Sequence, residues 1–198
     1  MSNPLVSVVI TTYNRKNLLL NAVQSVLEQS YKNVEIVIID DCSNYNVLEF
    51  INNNVNKRIT VIRNKQNRGL AYSRNVGLSK STGKYIAYLD DDDIWYPERI
   101  ELQVKQAETT NENISVFYCG KTVTRPNGKK VNIIPHYRGN LASALFKGIG
   151  PPPGTLFFKR EALLKVGGFD DKLISCIDHD IWFTMASKNY SIDYVPYA

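Results

Sequence analysis

The sequence predicts an α/β domain: a mostly parallel central sheet flanked by helices, followed by a smaller, mixed half. Three observations predict it. Apolar, β-branched runs alternate with helix-period segments from residue 5 to residue 108, and such alternation implies parallel strands joined by right-handed crossovers. The strand runs are apolar on both faces, the pattern of strands covered on both sides. Three of those runs end in polar or acidic residues, and in open α/β sheets ligands sit at the carboxyl ends of strands.

Val6-Ser7-Val8-Val9-Ile10-Thr11 is the first strand, and Asn14 is expected to cap a helix from Arg15 to Gln29 whose Leu18, Leu19, Ala22, Val26 and Leu27 share a face. Val34 to Ile39 is the second buried strand and runs into Asp40-Asp41-Cys42-Ser43. A helix from Val47 to Asn54 and a strand from Ile59 to Ile62 follow. Asn67-Arg68-Gly69 opens a loop, Leu70 to Ser79 reads as helix, Gly83 as turn and Tyr85 to Leu89 as strand. Pro97 suits a first helical turn, with Glu98 to Glu108 continuing it.

The second half has a different texture. Val116 to Thr124 and Val131 to Ile134 flank Arg125-Pro126-Asn127-Gly128, a hairpin signal. A short helix is expected over Gly139 to Phe146, a stiff loop over Pro151-Pro152-Pro153 and a strand over Thr155 to Lys159. Helices over Arg160 to Val166 and Asp178 to Ser187 and a strand over Ser191 to Val195 complete the chain. With 198 residues and 43% hydrophobic content, one domain spanning 1–198 is expected, with a first half over 1–110 and a second over 111–198.

The formal charge is +5, but Lys and Arg are scattered rather than massed. This disfavours nucleic acid as a partner and suits an anionic substrate or peripheral contact with an anionic membrane surface. The three cysteines are widely spaced and form no CxxC pair, so neither a zinc site nor a disulfide framework is indicated, and reduced thiols in the cytoplasm are the simple reading. The first residues read as neither a signal peptide nor a membrane span, and the sequence holds no apolar stretch long enough to be one. There is no GxxxxGK[ST] loop and no GxGxxG after a strand. His136 and His179 lack the spacing of a metal pair, and Cys176 near His179 reads as an inert thiol.

The most informative stretch is Tyr85-Ile86-Ala87-Tyr88-Leu89-Asp90-Asp91-Asp92-Asp93, an apolar strand running into four adjacent carboxylates. At about 5 Å in water each such pair costs on the order of 1 kcal/mol, and more where water is partly excluded. A divalent cation reverses that sign, because Mg²⁺ or Mn²⁺ takes oxygen ligands and shares them with substrate phosphates. The competing reading is an acidic turn capping the next helix. Asp178-His179-Asp180 is equally double: acids in a first helical turn suit the dipole, and a carboxylate there can also serve as a general base.

Taken in order, the motifs resemble family 2 glycosyltransferases with the GT-A fold. The likeness rests on Ser7-Val8-Val9-Ile10-Thr11-Thr12-Tyr13-Asn14-Arg15, Ile38-Ile39-Asp40-Asp41-Cys42-Ser43, Asn67-x-Gly69, Arg74-Asn75-x-Gly77, Gly83-x-Tyr85-Ile86, Leu89-Asp90-Asp91-Asp92-Asp93-x-Trp95-x-Pro97, Gly167-Gly168-Phe169-Asp170 and Asp178-x-Asp180-Ile181-Trp182. The resemblance implies an inverting sugar transfer from a nucleotide-diphosphate sugar, with UDP the expected nucleotide, to a hydroxyl of a glycan or lipid-linked acceptor. It implies that Asp41 accepts from the base, that Thr11 and Tyr13 line the nucleotide pocket, and that Arg15 and Arg74 belong to the same donor site. Asp92 is the implied ligand of a divalent cation, Mg²⁺ or Mn²⁺, with Asp90 or Asp91 near the ribose, and Asp178 is the implied general base. The sequence departs from the family pattern at Ile177, where many members have Glu, and at Asp91, where small residues are common. A sugar nucleotidyltransferase is the rival enzyme class and a non-catalytic nucleotide-sugar-binding protein the rival outside enzymes. The expected location is the cytoplasm or the inner face of its membrane.

Overall fold

A computed structural model describes residues 3–56, 59–110, 114–134, 136–152 and 154–197. The first half alternates strand and helix as expected: β1 (Val6–Thr12), α1 (Lys16–Leu27), β2 (Val34–Asp40), α2 (Val47–Asn54), β3 (Thr60–Arg63), α3 (Leu70–Lys80), β4 (Tyr85–Asp90) and α4 (Arg99–Thr109). The second half adds β5 (Ile114–Cys119), β6 (Lys121–Thr124), β7 (Lys130–Ile133), β8 (Gly139–Asn140), α5 (Leu141–Phe146), β9 (Leu156–Lys159), α6 (Arg160–Lys165), α7 (Ile177–Ser187) and β10 (Ser191–Val195).

Eight strands form one sheet in the order β3-β2-β1-β4-β9-β5-β10-β8. β1 is parallel to both β2 and β4, β2 to β3, and β10 to β5. β9 is antiparallel to its neighbours β4 and β5, and β8 to β10. The register places Thr12 opposite Asp40 and Thr11 opposite Asp90, so three strand ends are brought side by side. Alternate residues of β1 enter opposite cores: Val8 and Ile10 pack with Leu19, Val23, Ile51 and Ile100, while Val9 packs with Ala71, Leu78, Ile86 and Trp182. Two such apolar layers explain why β1, β2 and β4 read as unbroken hydrophobic runs.

Two local expectations are corrected. The strand expected over Val116 to Thr124 breaks at Gly120, whose N–H donates to the Tyr197 carbonyl at 2.6 Å, and β6 leaves the main sheet to pair with β7. Burial changes there too, from a wholly buried β5 to a β6 whose outer residues are exposed. Asn14 does not cap α1. It holds a positive φ of 59°, and its side-chain oxygen accepts from the Asn44 N–H at 2.7 Å, tying the end of β1 to the end of β2. Arg15 occupies the cap position without a side-chain capping bond. The stiff loop is described at Pro151 and Pro152; Pro153 lies outside the described residues. Among the described residues no helix is long and apolar enough to cross a membrane.

At the opposite end of the sheet, Glu35 of β2 holds the turn that feeds β4. Its carboxylate accepts from Ser7 Oγ at 2.5 Å, from the Thr82 N–H at 2.6 Å and Thr82 Oγ1 at 2.9 Å, and from the Gly83 N–H at 3.2 Å. Gly83 is obligatory there, because a Cβ would lie 2.7 Å from the Ser7 nitrogen and 2.8 Å from the Leu5 carbonyl oxygen. Burial disfavours the Glu35 carboxylate, but the hydrogen bonds outweigh it and hold the pKa below the ordinary glutamate value. A depressed folded pKa stabilises the fold above the unfolded value, about 4.3, and the contribution is lost as pH falls through the folded value. Glu35→Gln is therefore expected to cost about 1 kcal/mol at pH 7, a Tm loss of roughly 2–4 °C. In thermal unfolding scans across pH, the gap between variant and parent should close below about pH 4.

Candidate active site

The strand ends of β1, β2 and β4 surround the acidic turn, and each aspartate of that turn has a separate fate. Asp91 is buried; its carboxylate accepts from Thr12 Oγ1 at 2.7 Å and from Arg15 Nη1 at 3.0 Å. Burial pushes the Asp91 carboxyl above its ordinary pKa, and the bonds from Thr12 and Arg15 only partly offset that. Asp92 also accepts from Arg15 Nη1, at 2.9 Å, but half of its side chain is open to solvent. The Asp93 N–H closes the turn on the Asp90 carbonyl at 3.0 Å. Partial desolvation pushes the Asp93 carboxyl up, Asp90 and Asp92 add to the effect, and Arg99 and Lys121 act against it.

Asp90 faces the other way, toward α3. Arg74 Nη2 donates to Asp90 at 3.0 Å, and Arg74 Nη1 donates to Asp178 in the first turn of α7 at 2.7 Å. Arg74 is 2% exposed and lies beside the edge-to-face pair of Tyr88 and Phe169, 5.5 and 5.4 Å from their ring centroids. Burial alone would lower its pKa; the carboxylates of Asp90 and Asp178 outweigh that and raise it. Removing one partner of a buried pair of this kind costs about 3–5 kcal/mol, because a charge is left uncompensated.

Asp41 at the end of β2 is buried against the start of α3. Its carboxylate accepts from Asn64 Nδ2 at 2.8 Å and from the backbone N–H groups of Arg68 and Gly69 at 2.9 and 2.8 Å. Gly69, at a φ of +85°, is the cap residue of α3, so Asp41 places a negative charge at a helix N-terminus. Thr11 is buried at the end of β1, opposite Ile39 and Asp90, while Tyr13 is 47% exposed. Among the expected donor residues, Thr11, Tyr13, Arg15, Asp41, Asp90, Asp91 and Asp92 thus lie on adjoining strand ends, and Asp178 is joined to them through Arg74. The Arg74 guanidinium is engaged by protein carboxylates on both of its terminal nitrogens rather than standing open to a ligand. Thr12, Asn64 and the backbone of Arg68 and Gly69 were missed as parts of the site; the Asn67-x-Gly69 motif was the signal for the last two.

Beside Asp92 and Asp93 opens a cavity of about 1050 Å³, lined also by Tyr96, Arg99, Lys121, Thr155 and Tyr197. Arg99 stacks on Trp95 at 3.9 Å from the ring centroid, and burial lowers its pKa. Gly154 and Thr155 also line this cavity.

The family model described as Glycosyl transferase family 2 matches residues 7–167. The chain belongs to this family. A Rickettsia felis relative described as an uncharacterized glycosyltransferase is 36% identical over 199 residues, covering 93% of this chain and 30% of that protein. The chain thus spans about a third of that relative's length. An Escherichia coli protein, UDP-Glc:alpha-D-GlcNAc-diphosphoundecaprenol beta-1,3-glucosyltransferase, is 42% identical over 105 residues, which is 53% of this chain and 42% of the relative. Among solved structures, a Pyrobaculum calidifontis mannosyltransferase in complex with GDP-Man and Mn²⁺ superimposes with a TM-score of 0.73 at 23% identity, covering 99% of this chain and 56% of that one. The fold is GT-A, as the resemblance implied.

Replacing Asp41 by Asn puts an amide N–H₂ where three N–H donors converge, so at least one buried donor loses its acceptor. Asp41→Asn is expected to cost about 1–3 kcal/mol in the nucleotide-free protein. Chemical denaturation without ligand checks this; an unchanged midpoint would mean that the bonds to α3 contribute nothing to the fold.

Proposed function

We propose that this chain catalyses inverting transfer of a sugar from a nucleotide-diphosphate sugar, with UDP the favoured nucleotide, to a hydroxyl of a glycan or lipid-linked acceptor. The observation that carries the reading is the meeting of Asp178 and Asp90 on one guanidinium, which sets the candidate base from the second half beside the donor-side acids of the first. Family membership supports the transfer, and the substrates printed for the Escherichia coli relative support UDP and a lipid-diphosphate acceptor. The transferred group would be a hexosyl or N-acetylhexosaminyl unit, for polysaccharide assembly at the cytoplasmic face of a membrane.

Asp41, Thr11, Tyr13 and Arg15 would hold the nucleotide. Asp90, whose side chain is 32% exposed against 6% for Asp91, is the better placed of the two to meet the ribose. Asp92 would hold the divalent cation, Mg²⁺ or Mn²⁺. Its open side chain fits that task, but among the described residues no group of three or more His, Cys, Asp or Glu could hold a metal by itself. A cation bound through one or two carboxylates must take its remaining ligands from phosphate and water, as Mg²⁺ commonly does. The Mn²⁺ and GDP-Man of the Pyrobaculum structure support this choice. When bound, such a cation offsets the negative charge that builds on the departing diphosphate.

Asp178 would take the proton of the acceptor hydroxyl as its oxygen attacks the anomeric carbon. The bond from that carbon to the phosphate oxygen breaks, its electron pair leaves with the diphosphate, and attack from the opposite face inverts the configuration.

Nucleoside diphosphate release with Mn²⁺ and a panel of UDP- and GDP-sugars tests the roles. Asp178→Asn is expected to keep nucleotide binding and lose about 10²–10⁴-fold in kcat, while Asp92→Ala loses turnover together with Mn²⁺-dependent thermal stabilisation by the nucleotide. Full turnover in Asp178→Asn would remove Asp178 as the base. Release of pyrophosphate instead would point to nucleotidyl transfer, which the absence of a Gly-rich loop after β1 already disfavours. Nucleotide binding without either product would point to a non-catalytic subunit.

A further inference from the structure

Arg74 belongs to neither the cleft wall nor the ordinary core, and its surroundings define a role the motif did not reveal. It is a 2% exposed cation whose two terminal nitrogens reach carboxylates on different elements, Asp90 at the end of β4 and Asp178 at the start of α7. Asp90 lies 16 residues from it in sequence and Asp178 lies 104. Its Nε finds no hydrogen-bond partner among the described residues, so the bonds that orient this side chain are those two. Phe169 and Tyr88 close on the guanidinium.

The frame around it is fixed from both sides. Gly77, one turn along α3, lets the helix lie against β1, where a Cβ would sit 2.3 Å from Val9 Cγ1. Asn75 exchanges hydrogen bonds with the Phe169 backbone, donating to its carbonyl at 2.7 Å and accepting from its N–H at 2.9 Å. The helix carrying Arg74 is thereby pinned both to the donor-side sheet and to the turn that leads toward α7. A rigid, planar fork between two carboxylates sets their separation and the direction of each oxygen in a way that a flexible ammonium cannot.

We infer that Arg74 is a positioning residue for the transfer step: it holds Asp178 at a set distance and orientation from the donor-side carboxylate Asp90. This rests on Asp178 being the base. With both terminal nitrogens on protein carboxylates, Arg74 acts through Asp178. The α7 turn alone does not provide that constraint, since its cap, Cys176, is a left-handed residue at φ 57° with no side-chain capping bond.

A double-mutant cycle tests it. Arg74→Lys keeps the positive charge, so the fold is not left with two unpaired carboxylates, but it loses the fork. With UDP-glucose or GDP-mannose and Mn²⁺ as probes, and nucleoside diphosphate release as readout, Arg74→Lys is expected to lower kcat about 10- to 100-fold while nucleotide affinity changes less than about threefold. Placed in an Asp178→Asn background, the same substitution should leave the residual rate within about twofold, because the group it orients is already disabled. Phe169→Leu, which loosens the wall of the guanidinium pocket and alters no charge, is the second variant if Arg74→Lys does not fold. It should show the same dependence on background with a smaller loss. Equal losses in both backgrounds would mean that Arg74 acts on the fold at large, and an undiminished kcat in the parent background would mean that it positions nothing; either result overturns the inference. Full activity of Asp178→Asn alone gives a different pattern and overturns the base assignment beneath it.

Discussion

The structure of this site turns on one buried charge. A guanidinium removed from water is tolerable only when its charge is matched nearby, and Arg74 is matched by Asp90 and Asp178 at 3.0 and 2.7 Å. Those two carboxylates come from opposite halves of the chain, so the requirement to neutralise Arg74 draws the end of β4 and the start of α7 together. Much of the local sequence serves that placement. Gly77 admits α3 close to β1, Asn75 ties it to Phe169, and Phe169 and Tyr88 close over the guanidinium.

The same logic explains how four consecutive aspartates coexist. Each is directed at a different partner: Asp90 at Arg74, Asp91 at Thr12 and Arg15, Asp92 at Arg15 and solvent, and Asp93 toward the electrostatic reach of Arg99 and Lys121. Mutual repulsion is relieved by distributing the side chains around a tight turn and giving the more deeply buried ones cationic or hydroxyl partners. Asp92 remains the acid most open to solvent in its partnership, which suits it to a ligand that arrives with the substrate. Arg15 spans Asp91 and Asp92, so loading of a cation at Asp92 would compete with that guanidinium and leave it anchored by Asp91.

The parallel half was legible because burial on both faces writes itself into a strand as continuous Val and Ile, and β1, β2 and β4 carry that mark. The convergence of strand ends was legible for the same reason, since parallel strands end on one side. The second half was less so. Nothing in Thr155 to Lys159 announces a strand inserted antiparallel between β4 and β5, because pairing direction depends on where the chain arrives and not on its local composition. Gly120 gave no sign that the strand would change sheets, and Asn14 carries a residue type that caps helices but is used at a positive φ to join two loops. Among site residues, the acids and Tyr13 could be placed from their motifs. Arg74 could be singled out but not understood, because its second partner lies 104 residues away and only the folded chain brings them together.

The most direct test of the central claim, that donor-side acids and Asp178 act on opposite faces of one sugar, is the stereochemistry of the first product. Proton NMR of the anomeric region, recorded while the protein turns over an α-linked UDP-sugar or GDP-sugar with Mn²⁺ and either water or a saccharide acceptor, reports it before mutarotation mixes the signals. The account predicts free nucleoside diphosphate and a β-configured first product. A product that keeps the α configuration would contradict it, since a base across the sugar from the leaving diphosphate cannot deliver that outcome in one displacement.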